Sequence, residues 1–192
     1  GMGRLFATYD LETPTTLERA AEVIAGEQSS GTFLKLPGET DRLKELSGAR
    51  VERVTATSSS RVPSLPCRIS AETYTRGEIV LSWPLENMGT SLPNVLATVA
   101  GNLFELADVS ALRLTDISFP EEFAIAYPGP AYGRQGTLAL AGVRDRPMIG
   151  TIIKPSVGLS PAETASLVAK LADGGIDFIK DDELQANGPH CP

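Results

Sequence analysis

Basic residues are scarce in this chain, with 17 lysines and arginines against 24 aspartates and glutamates, for a formal charge of −7. A nucleic-acid partner needs a basic face to displace counterions from phosphates. No basic run occurs, so no nucleic-acid partner is expected. Cysteine is equally sparse: Cys67 and Cys191 lie far apart, in no metal-ligand spacing, and read as free thiols in a reducing compartment. No apolar stretch approaches the ~20 residues that a membrane span needs, so no membrane partner is expected. The opening Gly1-Met2-Gly3 is too short and too polar for a signal peptide, and Gly1 ahead of Met2 reads as a cloning remnant. A cytoplasmic location follows. What is plentiful is core material, since 42% of the 192 residues are hydrophobic.

Two textures divide the chain. From Leu5 to about Asp145, short β-like runs are interleaved with two helical stretches. Leu5 to Tyr9 alternates like a strand. Thr15 or Thr16 then caps a helix to about Ala25, with Leu17, Ala20, Ala21 and Ile24 on one face. Strands follow within 50–59 and 67–85, where Arg76-Gly77-Glu78 reads as a hairpin turn. A second helix is expected from Leu92 to Phe104, with Val95, Leu96, Val99 and Leu103 inward. Leu112 to Ile117 closes the series. This order predicts an α+β domain over 4–118, with helices on one face of an antiparallel sheet. Residues 119–145, rich in proline, glycine and aromatics, read as a linker.

From 146 onward the pattern is α/β. Met148 to Ile153 is a nearly unbroken apolar run, as for a parallel strand buried on both faces. Ser160-Pro161-Ala162-Glu163 carries an N-cap, a proline at the first helical position and a capping-box glutamate. Ala165, Leu167, Val168 and Leu171 face inward, the helix stops at Gly174-Gly175, and Ile176 to Ile179 forms the next strand. One βαβ unit neither closes its sheet nor covers both faces, and a full (β/α)8 barrel takes about 250 residues. The expectation is therefore a truncated barrel spanning 146–192.

Charged residues at the carboxyl end of a buried parallel strand stand where α/β barrels build their sites. Lys180 and Asp182, two apart, share a face, and Glu183 sits at the mouth. Two carboxylates with a further oxygen donor suit a hard cation such as Mg2+. Taken alone, Lys-Asp-Asp-Glu is more often a solvated loop. Lys154, at the end of the preceding strand, is placed for proton transfer or simply as a strand-end lysine. His190, the one histidine, is either a proton-transfer group or a loop residue. Trp83 and Tyr74 read as packing residues.

Taken together, Gly150-Thr151-Ile152-Ile153-Lys154-Pro155, Gly158-Leu159-Ser160 and the run from Gly174 to Glu183 resemble the RuBisCO large-chain superfamily. Glu27 with Ser29 to Phe33 resembles its amino-terminal substrate loop, and Val99 to Phe104 its helix bearing an active-site asparagine. The resemblance implies a ferredoxin-like amino-terminal domain before a TIM barrel. It implies Mg2+ held by Asp182, Glu183 and a CO2-derived carbamate on Lys180, with Lys154 handling protons. It also implies a homodimer in which Glu27, Thr32 and Asn102 reach the opposite subunit's site, with Thr32, Phe33 and Asn102 binding substrate. True carboxylases carry a second lysine where this chain has Ser156, and tryptophan at Phe33. Those departures resemble the RuBisCO-like proteins, which enolise or isomerise phosphorylated ketoses without fixing CO2. The expected substrate is a phosphorylated sugar such as 5-methylthioribulose 1-phosphate. The alternatives are a true ribulose-bisphosphate carboxylase and, for these 192 residues alone, a non-catalytic folding or dimerisation module.

Overall fold

The computed structural model describes residues 3–30 and 37–189, which fall into two compact units, Gly1–Pro128 and Gly129–Pro192. The first unit runs β1 (Arg4–Thr13), α1 (Leu17–Glu27), α2 (Asp41–Ser47), β2 (Arg50–Ser60), β3 (Tyr74–Pro84), a 3-10 turn at Leu85–Asn87, α3 (Leu92–Val99), β4 (Ala111–Ser118) and α4 (Glu121–Ile125). Its four strands form one antiparallel sheet in the order β2-β3-β1-β4. This is the ferredoxin-like arrangement, in which β3 and β1 fill the middle.

Strand alternation sets the core. Leu5, Ala7, Tyr9 and Leu11 of β1 point inward, and the register places Trp83, Leu81 and Ile79 opposite the first three. Against this face α1 buries Leu17, Ala20, Ala21 and Ile24, as the spacing predicts. Its start is the predicted one too, because Thr16 Oγ accepts the Arg19 N–H at 3.2 Å.

Three local expectations fail for physical reasons. Arg76-Gly77-Glu78 is not a turn; β3 passes straight through it, with Gly77 paired to Leu11 on one side and Ala56 on the other. A Cβ at Gly77 would stand 2.5 Å from both Leu17 Cδ1 and Thr55 O. Glycine is there so that helix and strand approach closely. The second helix stops at Val99, and Gly101 folds back so that a Cβ there would lie 2.1 Å from Ala97 O. Leu103 is still buried, but from a turn, whereas Leu96 is exposed. Helix α2 escaped notice because its seven residues bury nothing and so leave no apolar stripe to read.

The second unit holds α5 (Gly133–Leu140), β5 (Gly150–Ile152), α6 (Pro161–Asp173) and β6 (Phe178–Lys180). Strands β5 and β6 pair in parallel, so the unit is one βαβ crossover. The capping box forms as predicted, with Glu163 N–H donating to Ser160 Oγ at 3.3 Å and Ser160 N–H to Glu163 Oε2 at 2.8 Å. Burial does not follow the prediction. Ile149 is 61% exposed and Phe178 47%, while Leu167, Val168 and Leu171 are half-buried and Ala165 is exposed. Two strands and two short-to-medium helices supply no complete second layer over these residues. Helices α4 and α5 lie within the stretch whose composition reads as a linker. Among the described residues, no helix is long and apolar enough to cross a membrane.

Candidate functional site

In the second unit, the chemistry-bearing residues gather at the carboxyl ends of β5 and β6. The pairing continues one residue past β5, where Ile153 N–H donates to Lys180 O at 3.0 Å. That bond brings Lys154 beside the segment after β6. The Lys154 ammonium donates to Asp182 Oδ2 and, at 2.8 Å, to Ser156 Oγ. Asp182 Oδ1 accepts the Leu184 N–H at 3.1 Å. The Asp182 side chain is only 5% exposed, yet it is held ionised. Lys154 first and the Leu184 N–H second bring its carboxyl down to about 2.

Lys180 points elsewhere. Its ammonium donates to Asp181 O at 2.6 Å and lies 3.8 Å from Glu183 Oε2, both side chains being largely exposed. The fold therefore joins Lys154 to Asp182 and Lys180 to Glu183. Among the described residues, no three histidine, cysteine, aspartate or glutamate side chains form a metal cluster. The donor chemistry still fits a hard cation. Asp182 would offer a carboxylate oxygen, Glu183 is exposed, and Lys180 beside it repels a cation as an amine but would bind one as a carbamate.

A fork that sequence reading missed steadies the opposite end of the pair. Arg146 donates to Asp177 Oδ2 at 2.6 Å and Oδ1 at 2.8 Å, and Asp177 Oδ2 also accepts the Ile149 N–H at 2.8 Å. Arg146 first, then that N–H, hold the Asp177 carboxyl at about 2. An acidic residue just ahead of β6, with an arginine just ahead of β5, was the available signal.

In the first unit, Glu27 ends α1 and Asn102 lies in the turn after α3, not on the helix. Asn102 Nδ2 donates to Glu27 Oε1 at 3.1 Å. Two buried aromatics align those helix ends. Trp83 Nε1–H donates to Gln28 O at 3.1 Å, and the Tyr9 hydroxyl donates to Val99 O, satisfying a carbonyl that the helix end leaves open. Burial raises the Tyr9 hydroxyl above its ordinary value, so it remains a donor. Trp83 packs as expected, but its ring N–H also fixes the end of α1, and Tyr9's part went unread. Thr32, Phe33 and His190 lie outside the described residues.

Comparison with known proteins covers both units. Residues 4–123 match the N-terminal domain of the ribulose bisphosphate carboxylase large chain, and residues 135–192 match its catalytic domain. A 3-oxo-isoapionate-4-phosphate transcarboxylase/hydrolase of Xanthobacter autotrophicus is 58% identical over 189 residues, which make up 98% of this chain and 46% of that protein. A 3-oxo-isoapionate-4-phosphate decarboxylase of Rhizobium etli is 40% identical, with 96% of this chain and 44% of that protein covered. The crystal structure of a rubisco-like protein from Burkholderia fungorum superposes with a TM-score of 0.78 at 44% identity, over 98% of this chain and 45% of that one. The chain thus spans less than half the length of these relatives.

Proposed function

The chain belongs to the ribulose bisphosphate carboxylase large-chain family, and from that premise we propose that the whole protein is an Mg2+-dependent, enolate-forming enzyme acting on a phosphorylated 3-oxo sugar acid. The observation that carries this reading is the ionised, buried Asp182 at a strand mouth, paired with Lys154 and flanked by Lys180 and Glu183.

Asp182, Glu183 and Lys180 as its carbamate would hold Mg2+, which supplies positive charge where an enolate develops. In a 3-oxo acid the bond between the carboxyl carbon and its neighbour is weak, because the electron pair it leaves is delocalised into the ketone. A decarboxylase and a transcarboxylase share that cleavage and differ in where the carboxyl carbon goes. Lys154, ending β5 with an ammonium at the mouth, delivers the proton to the carbon that loses its carboxyl group. It then takes another proton from solvent. In the structure Ser156 and Asp182 accept hydrogen bonds from that ammonium at the strand mouth.

The first unit supplies Glu27 and Asn102, and on this reading they reach the site of a second subunit together with Thr32 and Phe33. Leu92 and Leu96 of α3, and Phe104 two residues past Asn102, stand exposed, as residues covered by another protomer would. The 5-methylthioribulose 1-phosphate expected from the family resemblance requires the same enolisation, but the names of the similar proteins favour the 3-oxo acid.

The test offers the whole protein 3-oxo-isoapionate 4-phosphate, 5-methylthioribulose 1-phosphate and ribulose 1,5-bisphosphate, with Mg2+ and bicarbonate. Loss of the carboxyl group from the first, followed by phosphorus NMR and released CO2, is the expected result. Incorporation of labelled CO2 into acid-stable product from the third would make it a carboxylase. Absence of turnover and of solvent deuterium exchange on all three would leave a non-catalytic module.

A further inference from the structure

The Asp182 carboxylate is buried and accepts a hydrogen bond on each oxygen, which poses the question of how a cation gains access to it. Its Oδ1 is taken by the Leu184 N–H at 3.1 Å and its Oδ2 by the Lys154 ammonium. The same ammonium reaches Ser156 Oγ at 2.8 Å, so Lys154 is gripped from two sides although its own side chain is 63% exposed. A free strand-end lysine would extend into water and keep its rotamer freedom. This one forgoes that freedom to neutralise a carboxylate that would otherwise be a buried, unpaired charge.

We propose that Lys154, docked by Ser156, is a built-in counter-ion that occupies the Asp182 oxygen a divalent cation requires, so that cation loading and release of Lys154 from Asp182 are one exchange. This rests on the cation reading of Asp182, Glu183 and Lys180 given above. An ammonium and a divalent cation repel each other at contact distance and compete for one oxygen. The competition keeps the acidic cluster closed to stray cations, and it delivers a released amine to the site only once the metal is in place.

Calorimetric titration of the whole protein with MgCl2 at saturating bicarbonate tests this, with the metal alone as probe. Lys154→Met should bind Mg2+ roughly three- to tenfold more tightly than the parent. Ser156→Ala, which changes no charge, should tighten binding by about twofold, since it loosens the docked lysine and removes a hydroxyl that also bonds Asp182. Pulse acylation of the parent's amines, read by peptide mass mapping, should label Lys154 faster once Mg2+ and bicarbonate are present.

Unchanged or weaker Mg2+ binding by Lys154→Met overturns the exchange while leaving the cation site standing. A gain in Lys154→Met with none in Ser156→Ala reduces the lysine to a diffuse charge and overturns the docking. If Lys154→Met fails to fold, the labelling decides, and an unchanged Lys154 rate overturns the proposal. Failure of the parent itself to bind Mg2+ removes the cation reading, and this inference with it.

Discussion

In the first unit Leu5, Tyr9, Ile24, Trp83 and Leu103 have no exposed surface, and the residues of interest, Glu27 at the end of α1 and Asn102 in the turn after α3, lie next to that core. In the second unit α6 contributes no buried side chain, Ile149 and Phe178 stand largely open, and the order at the strand mouths comes from ion pairs and backbone hydrogen bonds. One unit positions its polar residues through apolar packing. The other positions them through charges holding charges, so the same kind of substitution should have different consequences in each.

The largest effect should be chemical. Lys180→Ala in the whole protein should lower turnover by at least about 1000-fold and abolish Mg2+ retention. Because Lys180 is exposed, its melting temperature should stay within about 2 °C of the parent. Unaltered turnover would remove Lys180 from the mechanism and leave the strand-mouth charges with a structural role alone.

Next comes Trp83→Ala, which should cost about 3–5 kcal/mol in urea unfolding of the first unit. It removes a fully buried ring and leaves Gln28 O without its donor. A loss below about 1 kcal/mol would mean that this core is less integrated than its burial implies.

Glu12 lets the comparison be made within the first unit, because there a buried charge sits on the packed sheet. Burial pushes its carboxyl up, but hydrogen bonds from Ser64, Arg76 and Ser110 outweigh that and hold it at about 2 against an ordinary 4.5. A depressed carboxylate contributes stability that is fully present above pH 4.5 and is lost as pH falls towards 2. Glu12→Gln should cost about 3 kcal/mol at neutral pH, and it should flatten the acid limb of stability measured by circular dichroism between those two values.

The smallest effect belongs to the second unit. Leu167→Ala on the half-buried face of α6 should cost about 1 kcal/mol or less. A cost as large as that of Trp83→Ala would erase the contrast between the units.

What could be read from the sequence follows the same division. The strand of Leu5 to Tyr9, the Thr16 cap and the α1 stripe were readable because alternation, capping chemistry and helical spacing are local and redundant. The Ser160–Glu163 box was readable for the same reason. Gly77 misled because a glycine needed for close approach looks, in sequence, like one needed for a turn. Leu96 misled because helical spacing shows which residues share a face and not where the helix ends. At the site, the run from Lys180 to Glu183 stood out by composition and resemblance. The pairing of Lys154 with Asp182, and the fork of Arg146 on Asp177, join residues from different strands whose distance no local pattern encodes.

The central place of β1 between β3 and β4 also sets a schedule. Of the four strands of this sheet, the earliest in the chain is the one flanked on both sides by strands made much later, and Thr8 waits for Thr115, 107 residues further along the chain. On a ribosome adding about 5–20 residues per second, β1 spends several seconds with neither neighbour. Its apolar residues are then open to chaperones or to other nascent chains. Co-translational probing should therefore find the amino-terminal sheet assembling in a single late step, after Ser118 has emerged, and not strand by strand.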